Sequence, residues 1–97
     1  MKSVFISFDQ AYYEQILHIL NYSNIRGFTR WENVQGRGSK TGEAHYGSHA
    51  WPSLNSAIMT VIPDEKVKPL LEELKALDAT SDLMGLRAFI WNIEDGI

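Results

Sequence analysis

The feature that most narrows the folds open to this chain is the order in which two hydrophobic periods alternate along it. Val4, Ile6 and Phe8 recur at every second residue, the period of a half-buried strand. Asp9 follows, and its carboxylate can accept from the free N–H groups that open a helix. Tyr13, Ile16, Leu17 and Leu20 then recur at helical spacing, which predicts an amphipathic helix over 10–22. Asn24 and Gly27 mark its exit, and Phe28, Thr29, Trp31 and Val34 favour a second strand.

Beyond a polar stretch, Ser56 to Ile62 reads as a third strand, closed by Pro63. Asp64 is placed to cap a second helix, whose apolar stripe is Val67, Leu70, Leu71, Leu74 and Leu77. A shorter polar loop, 78–85, leads to a fourth strand over 86–93 containing Phe89, Ile90 and Trp91. Strand, helix, strand, strand, helix, strand is the order of a ferredoxin-like α+β sandwich. It accounts for residues 1–97 as a single domain.

In that architecture two helices cover one face of an antiparallel sheet and the other face is wet. Yet Ile58, Met59, Val61 and Ile62 put apolar groups on both faces of the third strand, as do Phe89, Ile90 and Trp91 on the fourth. A 97-residue chain holds no third layer, and one this short buries only about 60–65% of the surface its unfolded form exposes. The economical cover for the second face is another copy of the chain.

Charge and cysteine content exclude several classes. Nine Lys and Arg against twelve Asp and Glu argue against uniform attraction to nucleic acid or an anionic membrane. The positive charge is nevertheless gathered: Arg26, Arg30, Arg37 and Lys40 are accompanied by one acid, Glu32, so this region can meet an anion. The absence of cysteine removes disulfides, thiolate metal sites and a cysteine nucleophile. The start of the chain is too short in apolar length for a signal peptide, and no run approaches the roughly 20 apolar residues of a membrane span. These features predict a cytoplasmic protein without membrane insertion.

The polar stretch 35–55 carries Gly36, Gly38, Gly42 and Gly47 and almost no apolar periodicity. Loops beyond about 12–15 residues are uncommon in compact domains and are usually functional or disordered. Gly36-Arg37-Gly38-Ser39-Lys40-Thr41 can wrap backbone N–H groups and two cations around an anion. It is not a Walker A loop, because Val34 and Ser39 stand where that motif requires glycine. Glu43, His45 and His49 form a minimal ligand set for Zn or Cu, the ordinary alternative being solvated loop residues. Tyr46 and Trp51 are candidate partner contacts, aromatic side chains being enriched in binding hot spots. No Gly-x-Ser-x-Gly elbow is present, and Glu72 and Glu73 belong to the polar face of the second helix. The chain is read as a non-enzyme.

Three runs together resemble the PII signalling proteins and span nearly the whole chain in order. They are Ile25-Arg26-Gly27-Phe28-Thr29 continuing to Gly36-Arg37-Gly38-Ser39-Lys40-Thr41-Gly42, then Val61-Ile62-Pro63-Asp64-Glu65-Lys66-Val67, and Gly85-Leu86-Arg87-Ala88-Phe89. The resemblance implies a homotrimer whose sheets face a central axis and whose intersubunit clefts sense a small effector, usually an adenine nucleotide. It also implies a protein partner, such as a membrane transporter or an enzyme, modulated through the long loop. Gly36, Arg37, Gly38, Lys40, Gly85 and Arg87 would then hold the effector. Departures are visible. The family's Gly-Phe-Gly-Arg turn is here Gly36-Arg37-Gly38-Ser39, a basic position of its third strand is Asn55, and its Gly-x-Gly is reduced to Gly85. The arginine pair downstream of strand four has no counterpart in 92–97. The chain is thus also similar to divergent PII-like proteins and to the related CutA trimers. The alternative reading is accordingly a CutA-like or efflux-associated metal-binding protein using Glu43, His45 and His49.

Overall fold

The computed structural model describes residues 1–37, the backbone of 44–45, and residues 54–81 and 83–97. Its centre is β1 (Lys2–Asp9), which pairs antiparallel with β5 (Asn55–Ile62) on one side and with β6 (Arg87–Asn92) on the other. β2 (Thr29–Val34) completes the sheet beyond β5, giving the order β2-β5-β1-β6. With α1 (Tyr13–Tyr22) after β1 and α2 (Val67–Asp78) after β5, this is the ferredoxin-like α+β topology expected from the periodicities.

The register shows why the alternation carried the signal. Val4, Ile6 and Phe8 stand opposite Thr60, Ile58 and Ser56, and all six are buried on the helix side. Ile16 and Leu20 from α1, Leu70 and Leu74 from α2, and Met84 close that core. Packing of this apolar stripe, rather than intrinsic propensity, is what holds helices as short as these.

Asp9 caps as expected, Oδ1 accepting from Ala11 N–H at 2.9 Å to open a 3-10 turn, Gln10–Tyr12, that runs into α1. Asp64 does not cap α2. It lies inside a 3-10 turn, Asp64–Lys66, with no side-chain cap bond at the start of either the turn or the helix. Its carboxylate instead receives the Met1 ammonium at 2.9 Å, with Lys2 Nζ 3.9 Å away. A charged ammonium is a stronger donor than a backbone amide, and it holds the Asp64 carboxyl below its usual range.

The long polar stretch is not without regular structure. β3 (Gly36–Arg37) pairs antiparallel with β4 (Ala44–His45) in a second, two-stranded sheet. Two residues are too few to show a hydrophobic period.

The face of the large sheet turned away from the helices is the one flagged by the two-faced strands. Phe89, Trp91, Trp31 and Val61 lie there at 59, 47, 45 and 41% exposure. Phe5 sits among them, its ring 6.4 Å from that of Trp31. Nothing within the described residues covers this apolar surface. No helix among them is long and apolar enough to cross a membrane.

Candidate functional site

Antiparallel pairing carries the candidate effector residues to one end of the sheet. Asp9 ends β1 opposite Asn55, the first residue of β5, and Val34, the last of β2, also pairs with Asn55. Arg87 opens β6 opposite Ser7. Gly36 and Arg37 follow β2 after Gln35, and Gly85 precedes β6 by two residues. Strands of alternating direction therefore bring Gly36, Arg37, Gly85 and Arg87 to the same end of the sheet, the first two beyond the outer strand β2 and the last two at the opposite outer strand β6.

Backbone bonds fix that end. Asp9 N–H donates to the Met84 carbonyl at 2.7 Å, and Gln10 N–H to the Leu54 carbonyl at 2.9 Å. Met84, wholly buried, anchors the loop before β6, and Gly85 turns it with φ 61°, a conformation that glycine adopts without a Cβ clash. At the other loop, Gly36 packs against the buried side chain of Asn55. The resemblance to the PII proteins would place a basic group at that position. Here it is an amide that leaves no space for a Cβ on Gly36.

Arg37 and Arg87 are both exposed. Arg87 turns one guanidinium nitrogen back to its neighbour's carbonyl, donating to the Leu86 oxygen at 2.7 Å. Neither forms an ion pair with a carboxylate among the described residues, where the only such pairs are those of Asp64. That end of the sheet thus carries two exposed guanidinium groups on its opposite outer sides, Arg87 close to the Gly85 turn, and each is a group suited to an anion.

Gly38 and Lys40 of the same candidate set lie outside the described residues. So do Glu43 and His49 of the candidate metal set, and Tyr46 and Trp51, the candidate partner contacts. His45 falls in β4, its backbone opposite Gly36. Among the described residues no group of three or more His, Asp or Glu side chains gathers as a metal site. His18 is exposed on α1, where with Ile19, Tyr22 and Glu73 it lines an open crevice on the helix layer.

One contact at this end was only half visible in the sequence. Arg30 belongs to the basic run. Its guanidinium lies 3.5 Å from the centroid of the Tyr13 ring, and Nη2 donates to Ser56 Oγ at 3.3 Å. The charge is readable in the sequence, whereas the two partners are set by tertiary structure.

The chain as a whole matches the family model of nitrogen regulatory protein P-II over residues 1–97. No curated protein matches it. Among solved structures, CPII, a nitrogen regulatory PII-like protein from Thiomonas intermedia K12, is similar in fold. Bound to ADP, AMP and bicarbonate, it gives a TM-score of 0.78 at 24% identity, covering 95% of this chain and 84% of that one. Bound to ADP, AMP and acetate, it gives 0.79 at 23% identity, covering 99% and 88%. A PII-like signalling protein from Thermus thermophilus gives 0.69 at 17% identity, covering 95% and 85%.

Proposed function

This chain belongs to the nitrogen regulatory protein P-II family, and we propose that within it the protein is a non-catalytic sensor of an adenine nucleotide. The effector binds at the end of the sheet carrying Gly36, Arg37, Gly85 and Arg87. The observation that carries the reading is the pair of exposed arginines, Arg37 and Arg87, without carboxylate partners among the described residues. Guanidinium forks suit phosphate oxygens, and the Gly85 turn lets backbone approach a ligand closely. The fold shared with a PII-like protein whose structure contains ADP and AMP supports the choice of nucleotide.

Three copies packing their apolar sheet faces around an axis would cover Phe89, Trp91, Trp31 and Val61 and place each effector end in a cleft between neighbours. The signal would leave through the 38–53 segment, which joins that end to β5, to a protein partner such as a transporter or an enzyme. An effector shifts such a segment only as far as it binds one arrangement better than another, so affinity and signalling are coupled through the same arginines.

Isothermal titration with ADP, AMP and ATP tests the proposal on the wild-type protein and on Arg37→Ala and Arg87→Ala. Saturable binding of at least one nucleotide, weakened about tenfold or more by each substitution, is expected, since a charge-assisted hydrogen bond contributes about 1.5–3 kcal/mol. Absence of nucleotide binding by the wild-type protein would overturn it.

A further inference from the structure

We propose that Tyr12 is a positioning residue of the effector end: its hydroxyl, acting through Ser81, holds the loop that presents Gly85 and Arg87. The inference rests on the nucleotide reading for what the loop binds. How the loop is held follows from its own bonds.

The loop between α2 and β6 has little to fix it by packing. Ala79, Thr80, Leu83 and Gly85 are exposed, while Met84 and Leu86 reach the core. Segments with so few buried contacts open at low cost, so individual bonds decide where they sit. Two such bonds come from the turn that follows β1. Asp9 N–H donates to the Met84 carbonyl at 2.7 Å, and the Tyr12 hydroxyl meets Ser81 Oγ at 3.2 Å. Ser81 Oγ also accepts from Leu83 N–H at 3.1 Å, so the hydroxyl that Tyr12 holds fixes the backbone two residues further on. Beyond Met84, Gly85 turns the chain, and the Leu86 carbonyl receives Arg87 Nη1 at 2.7 Å. Contacts thus lead through this loop from the Tyr12 hydroxyl to the Arg87 guanidinium.

The turn itself is secured without that hydroxyl. Asp9 Oδ1 caps it, the Tyr12 side chain packs against the core, and Gln10 N–H donates to the Leu54 carbonyl at 2.9 Å. Phenylalanine would fill the same core contact, so the hydroxyl is the part of Tyr12 that serves the loop. A neutral hydrogen bond shifts an equilibrium by about three- to tenfold. That is enough to set the population of a loop arrangement and too little to decide the fold. A ligand that needs one arrangement binds more weakly in proportion to the fraction lost.

The plain alternative is that the hydroxyl adds stability everywhere and positions nothing. Amide hydrogen exchange on the nucleotide-free wild type and Tyr12→Phe separates the two. The latch expects Leu83 and Asp9 to lose protection by about three- to tenfold, with Gln10 and the interior of β1 unchanged. No loss at Leu83 and Asp9, or an equal loss at Gln10 and along β1, would overturn it, and neither result depends on a nucleotide. Calorimetry with ADP reads the consequence. Tyr12→Phe should weaken binding about three- to tenfold in the wild-type and Arg37→Ala backgrounds, and markedly less in Arg87→Ala, because the latch acts through the loop beside Arg87. Ser81→Ala should match Tyr12→Phe, and Ser81→Thr, which keeps a hydroxyl, should bind as the wild type does. The same loss in the Arg87→Ala background would overturn the positioning role. Failure of the wild type to bind ADP, AMP or ATP would refute the nucleotide reading instead, and the exchange result would still decide the latch.

Discussion

Gly36 lies so close to Asn55 that a Cβ built on it would meet Asn55 Nδ2 at 2.4 Å. Gly36 is not in the left-handed region, so glycine is needed here for space. Gly36→Ala is expected to destabilise the fold by about 1–3 kcal/mol through overpacking. In an Asn55→Ala background the same substitution should be nearly neutral, a coupling of about 1–2 kcal/mol between contacting residues. A double-mutant cycle by urea unfolding measures it. Additivity of the two changes would show that Asn55 moves aside freely.

Gly85 is a glycine for the opposite reason. Its φ of 61° is the left-handed conformation that costs an L-residue about 1–2 kcal/mol. Gly85→Ala should lose about that much stability, and Gly85→Asn less, since asparagine tolerates this region better. Because Met84 beside it is wholly buried and bonded to Asp9, the strain cannot be relieved by letting the loop drift. Equal stability of Gly85→Ala and wild type in denaturant would refute this.

How far such relationships can be read from the sequence depends on their range. Val4, Ile6 and Phe8, and the α2 stripe through Leu70 and Leu74, announce their buried face because strand and helix repeat it locally. Asp9 caps the turn that follows it immediately. Asp64 looked equivalent, but its partner is the Met1 ammonium at the far end of β1, which no local pattern encodes. Met84 is core inside a loop that reads as polar, because Asp9 draws its carbonyl in. At the site, Arg37 and Arg87 stand at the same end of the sheet because the topology follows from the order of elements. The stacking of Arg30 on Tyr13 joins α1 to an edge strand, and the residue types alone do not specify it.

The Asp64–Met1 pair gives the stability a sign at acid pH. The ammonium hydrogen bond, with Lys2 assisting, lowers the Asp64 carboxyl in the folded protein, so the ionised form is favoured by folding. Its contribution is fully present above the ordinary aspartate value of about 3.9 and is lost as pH falls through the lower folded value. Both groups are exposed, so salt screens the pair and the effect is small. Asp64→Asn should flatten the stability profile only below about pH 4, and acetylating the N-terminus should have the same effect. Denaturant midpoints across acid pH that are parallel for wild type and Asp64→Asn would remove the pair from the account.

The uncovered face makes the sharpest demand on the assembled protein. Phe89 and Trp91 alternate along β6 with Ala88 and Ile90, which face the helix layer. Phe89 and Trp91 can therefore be changed without opening the core. If copies of the chain cover this face, a charge there must be desolvated against its counterparts around the axis, where equal charges also repel. Trp91→Glu or Phe89→Glu should then convert an oligomer into a folded monomer, with far-ultraviolet dichroism retained and mass by light scattering reduced to a single chain. Tyr22→Glu is the control: Tyr22 is 75% exposed on the helix layer and should leave the mass unchanged. A wild-type mass of one chain would mean that the face stays open in solution. An oligomer that survives Trp91→Glu and Phe89→Glu would place the contact elsewhere and separate the effector ends from any intersubunit cleft built on this sheet.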